Sequence, residues 1–163
     1  MRGKWVLRRV DKILNKYVAK FDLSARLDSD FIYYYTSNTI TYALAAPDRG
    51  GRHFMQFIKQ LRPELTAPIF LASLFHEIGH SETLDDLTDE EVSYCKNEKK
   101  KILSKESFTK KDDFTYFNLP DEKIATEWGL DYMYNHAEEV ALLWHKLQPL
   151  IQLFYKLNGI KED

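Results

Sequence analysis

The chain has 163 residues, 44% of them hydrophobic and 14% aromatic, which suits one packed domain, crowds two, and argues against a disordered chain. Its 23 basic and 25 acidic residues leave a net charge of -2, so nothing pulls it as a whole toward nucleic acid or an anionic membrane. The lone Cys95 excludes an internal disulfide and no run of about 18 apolar residues exists; Arg8, Arg9, Asp11 and Lys12 break up the N-terminus as a secretory signal, so the expectation is a soluble, cytoplasmic protein.

Residues 4–20 place Val6, Leu7, Val10, Ile13, Leu14, Tyr17 and Val18 at helical spacing, with basic residues opposite, and predict an amphipathic helix. Between about 31 and 45 the character changes. Phe31-Ile32-Tyr33-Tyr34-Tyr35 and Thr39-Ile40-Thr41-Tyr42 flank a polar turn, which predicts a hairpin or two sequential strands. Stacking of the tyrosine run on nucleobases is a costlier explanation than core plus surface, because alternate strand residues face opposite sides.

Pro47, Gly50 and Gly51 predict a loop. His53 to Leu61 then predicts a short helix stopped by Pro63. Thr66-Ala67-Pro68 opens the next helix, to about residue 80, with Thr66 as cap and Pro68 in the first turn. Its apolar circumference predicts burial. Residues 81–118 form a charged excursion, read as a mobile surface segment with one short helix, where Glu98 and Glu106 offset the Lys99–Lys101 cluster. Pro120-Asp121-Glu122 opens a helix to about residue 136, its acids suiting the positive end of the dipole. A final helix covers about 137–157, with a kink or division expected at Pro149 and a stop at Asn158-Gly159.

The chemistry sits in His76-Glu77-Ile78-Gly79-His80. Two histidines four apart on a helix place both imidazoles on one face, able to share a metal ion. Zinc suits two neutral nitrogens plus a carboxylate, with a fourth place for water. Glu77 follows the first ligand and can serve as general base without ligating. Gly79 costs about 1 kcal/mol of helix propensity relative to alanine, a cost that makes sense if another element approaches closely there. Candidate third ligands include His53, His136 and His145, and on the downstream helix Asp121, Glu122, Glu127 and Asp131. There Glu122, Thr126 and Gly129 share one face, while Glu127 and Asp131 share another. Tyr116, Tyr132, Tyr134 and His136 are candidates for stabilising an oxyanion, and spacing selects none of them.

The run Leu74 to His80, followed by Glu122-Lys123-Ile124-Ala125-Thr126-Glu127-Trp128-Gly129, resembles the short zincin peptidases of the ImmA/IrrE type. Those have HExxH and then a helix of form E-x-x-A-[ND]-x-[FW]-A. Glu122, Ala125, Trp128 and Gly129 match the second pattern; Thr126 departs from its Asn or Asp. Leu71 to Glu77 also resembles the metallopeptidase domain of ArdC-type antirestriction proteins. The resemblance covers about residues 66–135. It implies a mainly helical α+β zincin fold with a small sheet beside the metal-binding helix, zinc held by His76, His80 and Glu122, and Glu77 as the catalytic base. It further implies peptide hydrolysis, on a protein substrate such as a regulator of a phage or mobile element. No helix-turn-helix with a basic recognition helix is present, so nucleic acid is not indicated and a partner protein would supply targeting. The other class of function is a zincin-fold regulatory or antirestriction factor that binds rather than cleaves and keeps its metal for structure.

Overall fold

The computed structural model describes residues 2–17, 19–21, 31–44 and 49–161. The fold is mainly helical, with one small sheet, as an α+β reading expects. Two compact units divide the chain: Met1–Pro47 with Asn135–Asp163, and Asp48–Tyr134.

The first unit begins with α1, Lys4–Leu14, whose Val6, Leu7, Val10 and Leu14 are buried. The helix predicted to reach residue 20 ends earlier, in a 3-10 turn over Asn15–Tyr17 and then β1, Ala19–Phe21. The pairing explains the switch. β1 runs parallel to β3, Thr39–Tyr42, with Ala19 opposite Ile40 and Phe21 opposite Tyr42, and a strand that gains a ladder overrides a local helical period. β2, Ile32–Tyr34, pairs antiparallel with the other edge of β3, giving the order β1-β3-β2. The hairpin turn needs a positive φ, which Asn38 supplies at 45°. Helix α7, Ala137–Asn158, runs antiparallel to α1. The Arg2 amide donates to Asn158 Oδ1 at 3.0 Å near one end, and Lys16 pairs with Glu139 at 2.6 Å near the other. Pro149 lies inside α7 without dividing it, and Gly159 ends it in the left-handed conformation at φ 68°.

The second unit holds α2, Arg49–Leu61; α3, Ile69–Thr83; α4, Asp89–Leu103; α5, Lys110–Phe117; and α6, Pro120–Asn135. Gly50 and Gly51 belong to α2 rather than to a loop; Pro47 lies outside the described residues. Pro68 is the N-cap of α3, one position before the first turn, and Thr66 does not cap it. The largest departure is the charged stretch. It holds two helices, each started by a capping box in which a threonine side chain accepts from the N3 amide and the N3 carboxylate accepts from the threonine amide. Thr88 pairs with Glu91 in α4, and Thr109 with Asp112 in α5. Acidic residues in the first turn of α4 and Lys100 and Lys101 in its last turn complement the dipole. On the inner side Cys95, Ile102 and Leu119 are buried together, with Phe108 and Tyr116 against them. Phe54 and Phe57 of α2 meet Phe117 of α5 at 5.3 and 5.5 Å between ring centres. No helix among the described residues is long and apolar enough to cross a membrane.

Candidate metal centre

Helices α3 and α6 touch through their backbones. A Cβ on Gly79 would fall onto the carbonyl of Ala125, 2.8 Å from its carbon, and a Cβ on Gly129 would lie 2.7 Å from the Phe75 carbonyl oxygen. Neither position tolerates a side chain, and neither opposing atom is the movable end of one. This contact sets the distance between the histidine helix and the carboxylate helix. Gly79 thus has the close approach that its place in the motif suggested.

Across that contact three side chains converge. His76 Nε2 lies 3.2 Å from His80 Nε2 and 3.1 Å from Glu122 Oε2, and His80 Nε2 lies 3.5 Å from Glu122 Oε1. The two histidines meet different oxygens of the Glu122 carboxylate, and one ligand atom from each of the three residues lies within 4.8 Å of the others, close enough to share one small cation. Among the described residues, these three form a group able to hold a metal ion. The donor set of two imidazoles and one carboxylate suits zinc and leaves a fourth position.

The second contact of His76 determines which nitrogen faces the ligand position. Thr126 Oγ1 donates its proton to the Glu122 carbonyl at 2.8 Å. It therefore accepts at 2.9 Å from His76 Nδ1–H. That fixes the tautomer and turns the Nε2 lone pair toward the ligand position. The threonine that departs from the peptidase pattern carries out an orienting task.

Electrostatics bind the group further. Burial disfavours a charged His76, but the hydrogen bond and charge of Glu122, with a smaller pull from Glu77, outweigh it and raise the imidazole pKa. Burial would raise the Glu122 carboxyl, yet the hydrogen bonds and charges of His76 and His80 hold it well below the usual carboxylate range.

Glu77 stands beside the triangle, its Oε1 4.0 Å from His76 Nε2 and its side chain 13% exposed. Phe54 meets the His76 ring edge-on at 5.2 Å, an apolar wall on that imidazole. Lys99 of α4 reaches the site as well, its ammonium contacting Asp121 Oδ2 at 2.5 Å and Glu122 Oε1. Burial lowers the Lys99 pKa, but Glu122 and its neighbours outweigh that and raise it, so the side chain stays charged. Tyr116 lies under the same ammonium, 5.3 Å from its ring centre. Burial and then the charge of Glu122 push its phenol pKa up, so it remains protonated.

The other candidates separate cleanly. Glu127 and Asp131 are half exposed at 50% and 55%, Glu127 beside Lys123 and Asp131 paired with Arg62. His53 pairs with Asp113 across α2 and α5 at 2.6 Å. His136 and His145 belong to the first unit. Tyr132 is stacked between Phe75 and Trp128, and Tyr134 is exposed. Comparison with protein-family models, curated proteins and solved structures finds no match to this chain.

Proposed function

We propose that this chain is a zinc-dependent peptidase of the short zincin kind, acting on a protein or peptide substrate, with its metal-binding group in the second unit. The observation that carries this reading is the division of labour among four side chains. His76, His80 and Glu122 form the ligand triangle, while Glu77, on the same helix turn, stays outside it. A metal kept for structure alone has no need of a carboxylate beside it, whereas hydrolysis does.

Zinc, when bound, would polarise a water and the scissile carbonyl. The chain's own groups do the rest. Thr126 holds His76 with Nε2 presented for ligation. Glu77 takes a proton from the attacking water and returns it to the leaving amine. The protonated Tyr116 phenol can donate a hydrogen bond beside Glu122. A regulatory substrate on a phage or other mobile element follows from the resemblance of the two motifs to ImmA/IrrE-type peptidases, and a partner protein would then supply targeting.

The test is elemental analysis of protein purified without added metal, combined with cleavage of an unstructured protein such as casein. Wild type should carry about one zinc per chain, as a single three-ligand centre requires, and should cleave. Glu122→Ala should lose the zinc, and Glu127→Ala should keep it. Glu77→Gln should keep zinc and lose cleavage. Zinc without cleavage in wild type, unchanged in Glu77→Gln, would replace the peptidase with the regulatory, non-proteolytic reading. No zinc in wild type even after it is offered would remove both.

A further inference from the structure

Lys99 has no part in the group of possible ligands, yet its ammonium contacts Glu122, one member of that group. Its side chain is 22% exposed, well withdrawn for a lysine, and it is held by two carboxylates that are neighbours in sequence, Asp121 and Glu122. Helix periodicity puts it there: Cys95, Lys99 and Ile102 share one face of α4, and the two flanking positions are buried.

The ammonium contacts Glu122 Oε1, the same oxygen that stands 3.5 Å from His80 Nε2. A metal ion in the triangle and the ammonium would therefore draw on one carboxylate. Two cations beside one buried anion repel each other where little water screens them. Asp121 offers the ammonium a second place. It is anchored independently, since its Oδ1 accepts from the Glu122 amide at 2.9 Å in the first turn of α6. Its Oδ2 is left to face Lys99.

We propose that Lys99 is the resident counter-cation of the metal-free site, competing with the incoming ion for Glu122 and passing to Asp121 alone when the ion binds. This rests on the metal-centre reading above and adds a control to it. The buried carboxylate is never left without a positive partner, and the affinity for the ion depends on how readily Asp121 accepts the ammonium. A lysine that merely oriented Glu122 as a ligand would have the opposite sign, because its removal would loosen the ligand and weaken binding.

Zinc affinity of the full chain, measured by competition with a chromophoric chelator, separates these. Lys99→Met should bind zinc about tenfold tighter than wild type, and Asp121→Asn about tenfold weaker, in line with the effect of residues that contact metal ligands. In the Lys99→Met background the Asp121→Asn change should lose most of its effect, because no ammonium remains to be relocated. The metal-free Lys99→Met chain should also melt lower than wild type and gain more from zinc. Equal or weaker zinc binding by Lys99→Met overturns the proposal while leaving the metal centre standing. So does an Asp121→Asn loss that persists in full without Lys99. If Lys99→Met does not fold, Asp121→Asn decides alone, and unchanged affinity there overturns the proposal. Absence of zinc binding in wild type and both variants removes the metal centre and this role with it.

Discussion

His76 Nδ1 and the Thr126 hydroxyl, 2.9 Å apart, link the two helices of the candidate metal centre through a single hydrogen bond. The hydroxyl has already given its own proton to the Glu122 carbonyl, so the direction of the second bond is not free. Removing the hydroxyl without changing the shape of the side chain should expose the value of that link. Thr126→Val is expected to weaken zinc binding by about 10- to 100-fold, and Thr126→Ser to stay near wild type. The same chelator competition reads both. Equal affinity in Thr126→Val would mean that the tautomer is set elsewhere.

The backbone contact of α3 with α6 makes a stability prediction. Gly79→Ala and Gly129→Ala each drive a methyl group into main-chain atoms that cannot swing aside. Overpacking of this kind costs about 1–3 kcal/mol or more, and the upper end is expected here because the obstacle is backbone. Alanine's better helix propensity returns only about 1 kcal/mol. Thermal and urea unfolding should show both variants clearly destabilised, with zinc recovering only part of the loss. A Gly79→Ala variant that melts with wild type would refute the close crossing.

A pH dependence follows from the second capping box. Lys105 and the side chain and amide of Thr109 hydrogen-bond Asp112 and hold its carboxyl far below the usual carboxylate range. A carboxyl depressed in the folded state stabilises at pH above its unfolded value of about 3.9. That contribution fades as pH falls below this value toward the folded pKa. Asp112→Asn keeps an acceptor for the Thr109 amide and removes the charge. Wild type should therefore be the more stable at pH 7, and the gap should narrow between about pH 5 and pH 2 by that linkage. Urea unfolding of both proteins across this range checks it; a gap independent of pH would mean that the charge contributes nothing.

Much of the candidate centre is legible in the sequence. The four-residue spacing of His76 and His80 fixes a common face on any helix, and the 3.6-residue period already separated Glu122 from Glu127 and Asp131. Choosing Glu122 needed the motif resemblance, and the structure brings that carboxylate together with the two histidines in a group that could hold an ion. Lys99 was hidden by its neighbours: inside Lys99-Lys100-Lys101 it looks like a solvated charge, and only the flanking Cys95 and Ile102 give away its inward face. The two helices of the charged stretch were announced by Thr88 with Glu91 and Thr109 with Asp112, a signal that high charge density obscured. The end of α1 could not be read locally, because what stops the helix is β3, some twenty residues away in sequence.

The glycine contact between α3 and α6 also makes the centre portable. The spacing of the two helices is set by main chain against main chain, and Thr126 ties them by a bond that both helices supply. What fixes the ligand geometry is thus carried within the pair itself. Transplanted together into a host bundle, residues 69–83 and 120–135 would bring their own ruler; transplanted singly, neither would.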